Sequence, residues 1–307
     1  MVITTTRHEI AAPPRSRKRR RLRWNPAYAF IAPSILIIGV FIAEPIVQSA
    51  WMSLHTWSIG SAHHPFVGFA NYTALWHDSR FWNALRVTCV YTVTVGLGQL
   101  VCGLALALRL QRTRWYTALL RTAFFFPFIA SLVVTGIVWQ FLLDPQIGLV
   151  DGWLHKVGLG TPNWLQSTSL ALPTLIVVGI WKNLGFAMIV LLAGIQTVPD
   201  VLHEAARLDG ASALQRLRYV TLPALRPAIL FTAVLATING LQLFDLSYVM
   251  TNGGPLFHTE SLVMYLYQRG FVDFKLGNAT AISMVLFVII LAVSLIQLRL
   301  FRYRDDD

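Results

Sequence analysis

The sequence predicts an all-α polytopic membrane protein with six transmembrane helices, both termini in the cytoplasm and a polar helical hairpin on the cytoplasmic face. Three observations carry that expectation. Of the 307 residues, 55% are hydrophobic and 13% charged, and the mean hydropathy is +0.58. The apolar residues gather in six long blocks, each near the length of about 20 residues that crosses a hydrocarbon core. The basic residues sit mostly in alternate connections between these blocks, as cytoplasmic loops require.

In chain order, residues 1–26 form a basic tail, 27–300 a six-helix membrane domain and 301–307 a short tail. The spans are expected at about 27–46, 84–108, 119–143, 170–195, 227–250 and 279–300, with the polar connection at 196–226. The first tail carries Arg7, Arg15, Arg17, Lys18, Arg19, Arg20, Arg21 and Arg23. The second connection and its edges carry Arg109, Arg112, Arg114 and Arg121. The fourth carries Arg207, Arg216, Arg218 and Arg226, and the last tail Arg299, Arg302 and Arg304. These are 19 of the 25 basic residues. The opposite side holds Arg80, Arg86, Lys156, Arg269 and Lys275, while Lys182 lies inside a block. The net charge of +11 is therefore read as topology rather than as a nucleic-acid surface. The run RSRKRRRLR abuts an apolar block with no nucleic-acid-binding motif around it, and its expected role is to hold the tail inside against anionic lipid. The first block is about as long as a full span and is expected to be retained rather than cleaved, since QSAW offers a poor cleavage site at Gln48.

The connection VPDVLHEAARLDGASALQRLRYVTLPALRP is too polar to insert. Asp200 suits an N-cap. Leu202, Ala205, Ala206 and Leu208 can form a short apolar stripe. Gly210 suits the left-handed residue that ends a helix. A second helix is expected from about Ser212 to Val220, stopping before Pro223. On local chemistry this hairpin either rests on lipid or fits a cleft on a partner.

Glu204-Ala205-Ala206, then Asp209-Gly210, then Val220-Thr221-Leu222-Pro223 together resemble the EAA motif of the membrane subunits of binding-protein-dependent ABC importers, with Val220 where the motif has Ile. The resemblance implies that Glu204, Ala205, Ala206, Asp209 and Gly210 form a coupling helix seated on an ATPase subunit. Nearly the whole chain after the tail is similar to the carbohydrate branch, the maltose and glycerol-3-phosphate permeases: APSILIIGVFIAEPIVQSAWMSL, FVGFANYTAL, LLRTAFFFPFIASLVVTGIVWQFLLDPQIGLV and LFDLSYVMTNGGP occur in the order expected. The basic start resembles the maltose F-like partner of a heterodimeric pair. The partners implied are a G-like second permease, two ABC ATPases, an extracytoplasmic solute-binding protein, a sugar and membrane lipid, in a bacterial cytoplasmic membrane. A glycerol-phosphate or other polyol permease is the nearest alternative.

No GxxxxGK[ST] loop is present: Lys18, Lys156, Lys182 and Lys275 each follow a residue other than glycine. ATP and Mg are thus expected on a partner, with no cofactor held by this chain and no enzymatic chemistry. A sugar path needs polar groups and flat apolar faces. Gly179, Asn183 and Phe186 share one face of the fourth span. Ala236, Asn239, Gly240 and Leu243 share one face of the fifth. The resemblance implies that these faces border the substrate cavity, although buried asparagines also bond between spans. Lys182 adjoins the first face and either pairs with a carboxylate or approaches solute. Glu44 and Asp245 lie toward outer ends. Cys89 and Cys102 are expected to be buried and unpaired. His63-His64 has no ligand cluster near it, so no metal site is expected. An ion-gradient transporter predicts more carboxylates deep in the spans, and a membrane enzyme predicts clustered His, Asp or Cys. An amino-acid importer permease fits the fifth-span pattern less well.

Overall fold

The computed structural model describes residues 27–302 apart from Ile59, Ala62, Thr113, Leu159 and Thr161. The basic tail and residues 303–307 lie outside the described residues. The described chain is helical, with no strand beyond an isolated bridge between His55 and Phe66.

Helix α1 spans residues 27–53 and contains a π-helical turn at Gly39–Ala43. Its part up to Val47 forms one compact unit, and the chain from Gln48 onward forms the second. In the second unit follow α2 (Ala70–Trp76), α3 (Ser79–Leu110), α4 (Trp115–Ile129), α5 (Leu132–Leu142), α6 (Leu149–Lys156) and α7 (Ala171–Gln196). Then come α8 (Asp200–Leu208), α9 (Ala213–Ala224), α10 (Arg226–Leu241), α11 (Asp245–Thr251), α12 (residues 262–272) and α13 (Leu276–Arg302).

Among the described residues, four helices are long and apolar enough to cross a membrane singly: Phe30–Ser53, Ser79–Leu110, Ala171–Gln196 and Leu276–Leu300. The expected third and fifth spans differ from the sequence reading. Residues 119–143 do not form one rod: α4 and α5 meet at 100°. Pro127 removes one amide from the ladder of α4, and Ala130 and Ser131 then adopt extended conformations. Residues 227–250 divide too, because α10 ends at Leu241 and α11 begins only at Asp245. Hydropathy sums side chains and is blind to both breaks.

α7 is the axis of the second unit. It packs along α3 and α4, where glycines let backbones approach closely. A Cβ on Gly185 would lie 2.1 Å from the Phe124 carbonyl oxygen. Leu175, Val178, Met188 and Leu191 of α7 are fully buried. Cys89 and Cys102 are exposed on α3, free of each other, not buried as the sequence suggested. In a membrane helix an apolar residue is equally at home against lipid, so hydropathy does not choose its face.

Candidate functional site

The two helix breaks open onto one cavity of about 490 Å³. Its wall takes Tyr91, Val95 and Gln99 from α3, Phe128, Ala130 and Leu132 from the α4–α5 break, and Lys182 and Asn183 from α7. The opposite wall takes Ala236, Asn239 and Gly240 from α10, then Gln242, Leu243, Phe244 and Asp245 from the second break. Irregular backbone at membrane depth is tolerated where it lines such a space.

Lys182 has only 3% of its surface exposed, yet it meets no carboxylate among the described residues. Its Nζ donates to the carbonyl oxygens of Pro127 at 2.7 Å, Phe128 at 2.9 Å and Ala130 at 2.6 Å. These belong to the last turn of α4 and its cap, where carbonyls lose their helical partners. A cation at a helix C-terminus also meets the negative end of the helix dipole. The ammonium thus directs all three of its protons at the carbonyls of the break rather than at a carboxylate, while its side chain still lines the cavity.

Asn183, a wall residue, donates to the Gly179 carbonyl at 2.9 Å within α7. The side chains of Gln99, Asn239, Gln242 and Asp245 have no hydrogen-bond partner among the described residues and line the same space. Gly240 lies against Thr92, whose Cα would be 2.9 Å from an added Cβ. Of the expected path residues, the structure brings together Lys182, Asn183, Asn239, Gly240 and Leu243. It separates two from them. Gly179 packs against Tyr91, where a Cβ would fall 2.3 Å from the phenol oxygen. Phe186 stacks on Phe128 with centroids 4.8 Å apart. Sequence reading missed Gln99, although it is the one amide inside the 84–108 block. It also missed Gln242 and Phe244, which become wall residues only because α10 stops.

At the amino-terminal end of α3 an ionic clasp ties α12 down. Arg80 makes a two-pronged contact with Glu260 at 2.8 and 2.6 Å. Arg269 reaches Asp78 at 2.8 Å, and the Tyr265 hydroxyl donates to the same carboxylate. Burial works to raise the Asp78 pKa, but hydrogen bonds from Tyr265, the Arg80 amide and Arg269 together hold it below its ordinary value. Burial, reinforced by the bond to Asp78, pushes the Tyr265 phenol up to about 12.

The polar hairpin forms a second candidate site. α8 begins at Asp200, with Pro199 rather than Asp200 as its cap residue. Its end is as expected from Gly210, whose φ is +78°. The Ala211 amide bonds the Ala206 carbonyl at 2.9 Å and the Gly210 amide the Arg207 carbonyl at 3.0 Å, the paired bonds of a Schellman ending. Ser212 caps α9 through a reciprocal pair with Gln215. α9 does not stop before Pro223. A π-helical turn at Leu217–Thr221 directly precedes that proline and shifts the hydrogen-bond ladder ahead of the residue that lacks an amide. Asp200, His203 and Arg207 face a groove toward α9 and the end of α3. The outward face carries Val201 (70% exposed), Ala205 and Leu208 (89% exposed), flanked by exposed Glu204 and Asp209. Ala206, expected in the stripe, is half-buried instead.

Among the described residues no three His, Cys, Asp or Glu side chains converge on a metal-sized site. His64 stacks on Trp57 at 3.7 Å.

Comparison with known proteins gives concordant results. The model of the family described as binding-protein-dependent transport system inner membrane component matches residues 99–303. The trehalose/maltose transport system permease protein MalF of Thermococcus litoralis is 33% identical over 283 residues, covering 91% of this chain and 94% of the relative. The arabinooligosaccharides transport system permease protein AraP of Bacillus subtilis is 33% identical over 276 residues, covering 89% and 87%. The crystal structure of a bacterial ABC transporter involved in the import of the acidic polysaccharide alginate shares the fold, with a TM-score of 0.79 at 24% identity, over 90% of this chain and 95% of the other.

Proposed function

Since the chain belongs to the family of binding-protein-dependent transport system inner membrane components, a multi-pass membrane transport subunit, we propose that it is one permease of an ATP-driven importer for a di- or oligosaccharide. It resides in the bacterial cytoplasmic membrane. Its spans number six, each bent pair counting as one, and both termini are cytoplasmic. The observation that carries the reading is the cavity between the two helix breaks. Gln99, Asn239, Gln242 and Asp245 offer it free polar groups beside the flat ring of Phe244. A sugar, with hydroxyls around an apolar ring face, fits that mixture. An anionic polyol phosphate fits less well, because the one lysine in the wall has already committed its protons.

The relatives named for trehalose/maltose and arabinooligosaccharides support the sugar class. A second, similar permease encloses the other half of the path. An extracytoplasmic binding protein delivers the sugar. Two ATPase subunits, using ATP and Mg, drive alternating access through α8. The exposed Val201–Ala205–Leu208 face supports that docking, and Glu204 beside it supplies a charge for a basic partner group.

The test is ATP hydrolysis by the purified complex, with and without loaded binding protein. Glu204→Ala is expected to leave assembly intact and to reduce stimulated hydrolysis about tenfold or more, within the range of ordinary coupling energies; Gly210→Pro, which can neither adopt a φ of +78° nor donate to the Arg207 carbonyl, is expected to abolish it. A chain that purifies without an ATPase and moves solute on an ion gradient overturns the proposal.

A further inference from the structure

The cavity has an aromatic margin that leads out of it. Phe244, in the wall, stacks on Tyr248 with centroids 5.2 Å apart and planes at 17°. It also lies 5.5 Å from Tyr267 on α12. Tyr248 meets Tyr267 edge-on at 5.8 Å, and Tyr267 stacks on Phe271 at 5.5 Å and 25°. The four rings form one connected surface. Tyr248 is 41% exposed and Phe271 60%, so the surface is open at both its flank and its far end.

The direction of this surface follows from hydrogen bonds on α12. The Leu262 amide donates to the Thr88 hydroxyl at 2.8 Å, and Arg269 reaches Asp78. Thr88 and Asp78 are ten positions apart along α3, about 15 Å of helical rise. α12 therefore climbs from cavity depth to the extracytoplasmic end of α3, with Tyr267 and Phe271 on its upper part. Neither the Tyr248 nor the Tyr267 hydroxyl has a hydrogen-bond partner among the described residues. Each stacked pair keeps its outer ring faces, with the Tyr248 and Tyr267 phenols beside them, the chemistry that takes the C–H face and the hydroxyls of a pyranose or furanose unit.

We propose that Phe244, Tyr248, Tyr267 and Phe271 form a stacking track along which successive rings of an oligosaccharide pass from the extracytoplasmic mouth to the cavity. This rests on the sugar-importer reading and adds to it a preference for chains over single sugars. A point binding site gains nothing from a second sugar ring, whereas a track gains a stacking contact with each.

The experiment has two arms, both on the assembled transporter with its partner subunits. In a Cys89→Ala, Cys102→Ala background, Tyr248→Cys and Phe271→Cys are exposed, in right-side-out vesicles, to a membrane-impermeant cationic methanethiosulfonate. Labelling is followed in nucleotide-free and ATP-loaded states, with co-purification of the ATPase as the check on assembly. Both positions are expected to react in at least one state, and refusal in both states shows a face covered by lipid or the second permease and overturns the track. In the other arm, uptake of labelled di- and tetrasaccharides of α-glucan, xylan and arabinan is compared for wild type and Tyr267→Leu. The KM for the tetrasaccharide is expected to rise about tenfold, on the scale of one lost ring contact, and that for the disaccharide less than threefold. Equal effects on both lengths, or none, also overturn the track. A wild-type complex that imports none of these sugars removes the sugar reading, while the labelling arm still decides whether the aromatic surface faces water.

Discussion

Lys182 shows how a charge is kept inside a membrane span without a counter-ion. A central lysine costs roughly 3 kcal/mol on insertion scales. Here that cost is offset by three carbonyls that the end of α4 leaves without helical partners. Hydrogen bonds to a charged group contribute about 1.5–3 kcal/mol each, so the site is held by more than it costs. Lys182→Met is expected to destabilise the purified complex by about 3 kcal/mol, a fall in Tm of roughly 6 °C. Lys182→Arg is expected to fall between, since a planar guanidinium cannot point three protons at three converging carbonyls. A thermal melt in detergent reads both, and a methionine variant melting within about a degree of wild type removes the cap from this account. The sequence marked Lys182 as significant because a charge in an apolar block stands out. Its partners were not legible, because backbone carbonyls leave no trace in residue type until a helix is known to end there.

At the scale of elements, the helices were legible and their interruptions were not. Apolar blocks placed α3 and α7 to within a few residues. Ser212, Gly210 and their spacing gave the turn between α8 and α9, since capping chemistry is local. The breaks at Ala130 and at Gln242–Phe244 depend on what packs beside them, and Pro127 was the one local signal for the first. The packing that fixes the first break runs through Gly185. An added methyl there would sit 2.1 Å from the Phe124 carbonyl oxygen, so α4 has to retreat, and with it the carbonyls that Lys182 holds. Gly185→Ala is expected to cost about 1–3 kcal/mol through overpacking, seen as a lower Tm and less transport. Gly152→Ala in α6 is the matched control, because no atom lies within 4 Å of its added Cβ. It is expected to be neutral or to stabilise slightly, since alanine favours a helix over glycine. Equal melts for the two variants would sink the claim that α4 and α7 are in close backbone contact.

For the whole molecule, the open choice is between four crossings and six, and charge favours six where length alone does not separate them. α4 and α5 hold 15 and 11 residues, about 22 and 17 Å of helix, so neither crosses a core of about 30 Å alone. As re-entrant elbows, the two bent pairs, α4–α5 at 100° and α9–α10 at 70°, would leave four spans and put the hairpin around Gly210 outside the cell. That arrangement exports Arg207, Arg216, Arg218 and Arg226 together, against the bias that keeps arginines of short loops inside. As bent spans, they make six, the hairpin stays inside, and the loop around Gly158 lies outside with Lys156 as its lone basic residue. The C-terminus is cytoplasmic under both arrangements and does not distinguish them. Reporter insertions at Gly158 and Gly210 do. An alkaline phosphatase inserted after Gly158 is expected to be active, and a green fluorescent protein inserted after Gly210 to fluoresce, as each does only on its own side of the membrane. The reverse pair of results establishes four spans, places α8 out of reach of any cytoplasmic ATPase, and removes the physical basis for coupling through Glu204.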